Sequence, residues 1–282
     1  MSLIKYFIQF LIVIIFFLIF KIFGAHIASR ISGMLVSYIG PFFRSKKIIE
    51  SNILKAIPEL DKKDVKRITH KMWENYGRIL SEYIFMKKFR KYNFHIEGQE
   101  ILEEIKKNNK PVIFISGHFN NFELMAMHIE RSGINLAAIY RPLNNKFLNF
   151  IMEKIREKHI CKNQVKKGIS GTKKLLSYFK NGTSIALMID QRVSQGIKCN
   201  LFNHEAYTTT IPAQFVKKFK CKVVPIYIER HHGINFNIKI EKPKEFSNNA
   251  STEQITRDLN IWLEKNILKN PGEWIWSHNR WK

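Results

Sequence analysis

The segment Ser116-Gly117-His118-Phe119-Asn120-Asn121-Phe122-Glu123 follows a short apolar run and sets an imidazole and a carboxylate five positions apart. Histidine takes and returns a proton near neutral pH, and a carboxylate on one ring nitrogen fixes which nitrogen is free to do so. On one ideal helix a separation of five residues turns the two side chains about 140° apart. They meet only if Gly117 and His118 form a strand-to-helix turn and Glu123 starts the next helix, facing back. In that geometry His118 deprotonates a substrate hydroxyl, and no protein nucleophile is required. The helix N-terminus beside it offers free N–H groups to a phosphate or an oxyanion. A His-x4-Glu spacing also arises by chance, and a loop histidine is commonly an ordinary surface or core residue. What favours chemistry is the strand before it, the glycine at the turn and a place where open α/β sheets hold their ligands.

Other residues join this one by position. Arg141 precedes Pro142 just past an apolar run, where a planar guanidinium is suited to holding a phosphate bidentately, unless it is a plain surface arginine. Arg156 sits in EKIREKH, which by itself reads as a solvated helix face. Asp190 ends the apolar run TSIALMI, so it positions Arg141 or Arg156, contacts a substrate hydroxyl, or caps a helix. Trp274, Trp276 and Trp281 with His278 and Arg280 form an aromatic and basic terminus suited to a membrane interface or to packing on the core. Residues 168–171 (GISG) fall one short of a G-x-S-x-G elbow, and no G-x-x-x-x-G-K-[ST] loop occurs. His204, His231, His232 and the cysteines fit no zinc spacing. The expectation is no metal and no organic cofactor.

The elements that must position these groups follow from periodicity. Short β-like runs occur at 112–116, 134–140, 183–189, 222–229 and 235–241, with helix-capable stretches between most of them. That alternation predicts an α/β fold with a largely parallel sheet flanked by helices. Before it, apolar residues from Val65 to Tyr83 recur at helical steps, with Asp61 or Asp64 able to cap. Residues 6–20 carry no charge, and apolar character resumes after Lys21 as far as Ala28, enough for one helix to cover about 20 residues of hydrocarbon. We read residues 1–28 as a membrane anchor, because the start is weakly basic and no clean cleavage site follows. Arg30, Arg44, Lys46 and Lys47 follow this run and only Lys5 precedes it, which puts the body on the cytoplasmic side. Residues 29–282 then form one unit, mainly helical over 29–95 and α/β over 96–282.

Composition excludes several classes. The chain has 282 residues, 45% of them apolar, so it is no disordered tail. Lys and Arg number 47 against 23 Asp and Glu, a net charge of +24, which predicts acidic partners. No helix-turn-helix, zinc-finger or RNP-type pattern accompanies that charge, so nucleic acid is not expected. Cys161, Cys199 and Cys221 are widely spaced, with no CxxC, and suggest no disulfide framework and a reducing compartment.

Taken together, the blocks resemble the lipid A biosynthesis acyltransferases, the late acyltransferases of lipopolysaccharide assembly, within the lysophospholipid acyltransferase superfamily. GHFNNFE at 117–123, YRPLNN at 140–145, Arg156, MIDQR at 188–192, the threonine-rich segment from Thr208 to Pro225 and the close WIWSHNRWK from Trp274 carry the likeness. One departure is LFNHEAYTTT at 201–210, where the family has Phe-x-Pro-Phe-Phe-Gly. The resemblance implies a glycerolipid acyltransferase-like fold. It further implies transfer of a fatty acyl chain from acyl carrier protein to a hydroxyl of a phosphorylated lipid A precursor. His118 would be the general base and Glu123 its orienting partner, with Asn121, Arg141, Arg156, Asp190 and Gln191 contacting substrate. The place would be the cytoplasmic side of the bacterial inner membrane, where carrier protein, glycolipid phosphate and leaflet are all anionic. A glycerophospholipid or another glycolipid is the alternative acceptor.

Overall fold

A strand buried on both faces reads as an unbroken apolar run, because both sets of alternating side chains enter a core. The runs IFIS and SIALM behave in this way. A computed structural model describes residues 2–92 and 94–282. Its helices are α1 (Ser2–Ile39), α2 (Lys46–Ala56), α3 (Lys62–Glu82), α4 (Met86–Phe89), α5 (Gln99–Asn108), α6 (Glu123–Arg131), α7 (Lys146–His159), α8 (Ile169–Lys180), α9 (Ile211–Phe219) and α10 (Thr252–Lys269). The strands are β1 (His95–Glu97), β2 (Ile113–Ser116), β3 (Leu136–Tyr140), β4 (Asn163–Lys166), β5 (Ser184–Met188), β6 (Ile197–Leu201), β7 (His204–Thr208), β8 (Val223–His232) and β9 (Asn235–Ile240).

The main sheet has the order β1-β9-β8-β2-β5-β3-β4, and every neighbouring pair is parallel except the β8–β9 hairpin. This is the expected largely parallel sheet flanked by helices. Ile113, Ile115, Ile185, Leu187 and Val223 enter one core with α3, α9 and α10. The alternate residues Phe114, Ala186 and Val224 enter the other, with α5 and α6. β1 and β4 are edge strands of 3 and 4 residues with little apolar character, and β6 and β7 form a separate antiparallel hairpin. The segment 201–210, read from sequence as a departure from the family pattern, supplies most of that hairpin. Its turn places Phe202 and Asn203 at φ 52° and 58°.

The helical part reads as its periodicity predicts. Asp61 is the cap of α3, its Oδ1 accepting from the Asp64 N–H at 2.7 Å. α1 is the one helix among the described residues long and apolar enough to cross a membrane, with a mean hydropathy of 2.7 over its most apolar stretch. It breaks at Gly24, whose φ of 77° lies in the region that suits glycine. Before the break most large side chains face outward, although Phe17 and Phe20 are buried and Phe7 and Phe10 touch Phe147 at the start of α7. After the break the helix packs closely on α3. Ser32 Oγ donates to the Gly77 carbonyl at 2.6 Å, and a β-carbon on Gly77 would stand 2.2 Å from the Ser32 carbonyl oxygen.

That contact leaves no room for a methyl group. Gly77→Ala must push α1 off α3, and overpacking of this kind costs about 1–3 kcal/mol. The expected result is a melting temperature several degrees below wild type in detergent, followed by circular dichroism; an unchanged melt contradicts the close contact.

Candidate active site

His118 and Asp190 lie two residues beyond the ends of neighbouring parallel strands. Ser116 of β2 pairs in register with Met188 of β5, so the chain that leaves each strand reaches the same level above the sheet. The turn after β2 is tight: the Phe119 N–H donates to the Gly117 carbonyl at 2.8 Å, and Asn120 has φ 44°. A β-carbon on Gly117 would meet the Phe119 ring at 2.7 Å, so glycine is needed at this step. His118 therefore projects at the C-terminal edge of the sheet, its side chain 18% exposed.

Asp190 is completely buried and, among the described residues, receives three donors. His118 Nδ1 lies 2.7 Å from Oδ1, the His118 backbone N–H donates to Oδ2 at 2.7 Å, and the Trp274 indole N–H donates to Oδ2 at 2.9 Å. Burial alone pushes this carboxyl's pKa up. The imidazole and the three hydrogen bonds outweigh it and hold the group below the usual carboxylate value. An ionised carboxylate against Nδ1 requires the proton on that nitrogen, and in the neutral tautomer that satisfies it Nε2 carries the lone pair. The Gln191 amide nitrogen stands 3.4 Å from Nε2, and the Phe122 ring closes one side with its centroid 4.6 Å from the imidazole's.

This geometry corrects the expectation that Glu123 orients His118. No hydrogen bond joins the two among the described residues. Glu123 begins α6 and turns the other way: its Oε1 accepts from Arg156 Nε at 2.9 Å, from Arg156 Nη2 at 2.7 Å and from the Tyr83 hydroxyl. The physical reason is the turn itself. With Asn120 left-handed, the chain enters α6 with Glu123 facing α7 and Tyr83 just past the end of α3, while the segment after the neighbouring strand supplies a carboxylate already level with the ring.

The remaining expected residues divide in the same way. Gln191 stands at the imidazole. Asp190 is the partner of His118 and, being buried, does not reach substrate. Arg156 is paired with Glu123 and Tyr83 inside the protein, its guanidinium carbon 5.4 Å from the Tyr140 ring centroid, so it is not an open phosphate ligand. Burial disfavours its charge, but Glu123 and Tyr83 more than restore it and raise its pKa. Asn121 is fully buried and donates to Glu82 Oε2 at 2.8 Å, which removes it from the substrate-contacting set. Glu82, itself without exposed surface, also takes Ser29 Oγ of α1 at 2.7 Å and Arg230 Nη1 of β8 at 2.6 Å. The turn that carries His118 is thereby tied to three other elements. Arg141 is exposed just past β3; burial together with its positive charge lowers the pKa of Lys167.

Much of the C-terminal segment packs into the core beside this site. Trp274, Trp276 and Arg280 are at most 2% exposed. Arg280 donates to the Tyr207 carbonyl and to Thr208 Oγ1, both at 2.7 Å, and burial lowers its pKa to about 10. His278 Nε2 accepts from the Arg192 N–H at 2.9 Å, an acceptor role open to a neutral ring, and burial lowers its pKa to about 4. Sequence reading missed Trp274, Glu82 and Tyr83 as parts of the site. Tyr83 and Glu82 sit on an ordinary helical face, and a Trp-rich terminus carries the same signal for a core as for a lipid surface.

The sequence matches the family described as bacterial lipid A biosynthesis acyltransferase over residues 1–282. The chain belongs to that family. It is 25% identical over 197 residues to lipid A biosynthesis acyltransferase 2 of Shigella flexneri, an alignment that takes in 67% of this chain and 60% of that relative's length. A lipid A biosynthesis acyltransferase of Haemophilus influenzae is 20% identical over 272 residues, 93% of this chain and 84% of the relative. A 1-acyl-sn-glycerophosphate acyltransferase from Thermotoga maritima superposes with a TM-score of 0.44 at 13% identity, covering 96% of this chain and 99% of that one.

The Glu123–Arg156 pair is expected to act on stability first. Glu123→Ala leaves a buried guanidinium without its carboxylate, a loss of about 3–5 kcal/mol. A thermal melt of the purified variant reads it directly, and a melt equal to wild type contradicts the pairing.

Proposed function

We propose that the protein transfers a fatty acyl chain from a carrier-protein thioester to a hydroxyl of a lipid A precursor, with His118 as general base and Asp190 as its partner. The observation that carries the reading is the His118 ring, its Nδ1 on a buried carboxylate and its Nε2 turned toward Gln191, in a chain that belongs to this family. The relatives' names supply the acceptor class.

In this reading the acceptor hydroxyl takes the place of the long Gln191 contact at Nε2. As its oxygen attacks the thioester carbonyl, the hydroxyl proton passes to Nε2 and the imidazolium is stabilised by Asp190. The tetrahedral intermediate collapses with loss of the carrier thiolate, which takes the proton back from Nε2. The ester and the free thiol leave, and the imidazole is again neutral. Gln191 is then a substrate contact, and Arg141 with Lys167 forms an exposed basic pair suited to a sugar phosphate. Glu123 and Arg156 act by holding α6 against α7 below the ring.

The net charge of +24 fits a carrier protein of acidic surface, a phosphorylated acceptor and an anionic leaflet. The apolar first part of α1 supports attachment to the inner membrane, and the basic residues Arg30, Arg44, Lys46 and Lys47 after it support a body on the cytoplasmic side.

His118→Ala and Asp190→Asn are each expected to lower the rate of acyl transfer from acyl carrier protein to a phosphorylated glycolipid by about 10²–10⁴-fold, the span usual for loss of a general base. Detergent-solubilised enzyme and mass spectrometry of the product measure it. Undiminished turnover by folded His118→Ala protein ends the reading; transfer to glycerophospholipid alone changes the acceptor.

A further inference from the structure

We propose that Trp274 is a positioning residue for this reaction: its indole N–H fixes the Asp190 carboxylate and, through it, the firmness with which His118 holds a proton. The inference rests on the reading of His118 as the base. Its own ground is geometric. Asp190 Oδ2 has two donors, the His118 backbone N–H at 2.7 Å and Trp274 Nε1 at 2.9 Å, while Oδ1 faces His118 Nδ1. The first donor moves with the turn it belongs to, so among the described residues the indole is the one donor to this carboxylate from outside the turn.

The segment around Trp274 is held where such a role requires. Asn52 of α2 donates from Nδ2 to the Trp276 and His278 carbonyls at 2.8 and 2.9 Å. Trp276 donates to the Pro271 carbonyl at 2.6 Å and meets Trp274 edge to face, ring centroids 4.7 Å apart. The residue before Trp274 grips the catalytic turn as well, since the Asn120 N–H donates to the Glu273 carbonyl at 3.2 Å and the Asn120 amide to the Glu273 carboxylate. Residues 273 and 274 thus fix both members of the pair. Indole packing alone would be served by phenylalanine; a buried N–H aimed at a charged oxygen does something more, because a carboxylate accepting one fewer hydrogen bond interacts more strongly with the imidazolium beside it.

Among the described residues, His278 and Arg280 of the same terminal segment and Tyr76 of α3 also interact with the Asp190 charge. All three stay in place when the indole N–H alone is removed.

The test replaces Trp274 by phenylalanine and, to keep the ring's size, by the benzothienyl isostere in which sulfur takes the place of N–H. Two readouts are taken on the full-length enzyme in detergent: the acid limb of kcat/KM against pH, and the ¹⁵N NMR titration of His118 without substrate. Both are expected to move to higher pH by about half a unit or more, a change of about threefold in proton affinity. Adding Trp274→Phe to Asp190→Asn is expected to move the NMR titration no further. Folded variants whose His118 titrates as wild type overturn the inference, as does an equal shift in the Asp190→Asn background. The NMR readout decides this independently of whether His118→Ala abolishes transfer, so failure of the base reading and failure of the Trp274 assignment are told apart. Should phenylalanine unfold the protein, the isostere carries the same readout.

Discussion

The site depends on one charge kept away from water. Asp190 has no exposed surface, and a bare carboxylate in such a place is costly enough that it would ordinarily take up a proton. Three donors prevent this, and each comes with a structural demand. The imidazole must point inward with its proton on Nδ1. The turn after β2 must present its N–H, and the C-terminal segment must return to lay an indole against the second oxygen. Satisfying the buried charge and fixing the orientation of the His118 ring are the same set of contacts.

The parallel register is what makes the set possible. β2 and β5 are adjacent, and equal lengths of chain run from the pair Ser116 and Met188 to His118 and Asp190. A shift by one residue would turn one of the two side chains to the other face of the sheet. The two-sided core therefore does more than hold the sheet together, since Ile115 and Leu187 on one side and Phe114 and Ala186 on the other fix the register from which the pair projects.

Much of this architecture was legible in the sequence. The five apolar runs are strands of the main sheet, Asp61 caps the helix its spacing announced, and the alternation gave a largely parallel sheet. What periodicity cannot carry is the order of strands, because that depends on how crossovers pack and not on the composition of any one strand. His118 was found from its local turn, but its partner lies 72 residues away, on a strand adjacent only in space. A local spacing rule had a carboxylate ready at Glu123 and no means of seeing Asp190 as closer. The short, weakly apolar β1 and β4 and the hairpin of β6 and β7 escaped for a related reason: edge strands need few buried side chains, so they leave little pattern.

The second ion pair shows how position changes the meaning of a residue type. The family resemblance makes Arg156 a substrate contact and Glu123 a carboxylate partner of His118. Joined to each other and to Tyr83, with 11% and 9% of their side chains exposed, they bind α6 to α7 instead. Each needs the other, since removing either leaves a buried charge unpaired. The pair also bears on the candidate site, because the helix that begins at Glu123 is the one that follows the turn carrying His118. Glu82 repeats the arrangement on the other side of that turn, drawing Asn121, Ser29 and Arg230 onto one carboxylate. The turn is thus held from both sides, at Asn121 by Glu82 and at Glu123 by Arg156, while the ring it carries lies against Asp190.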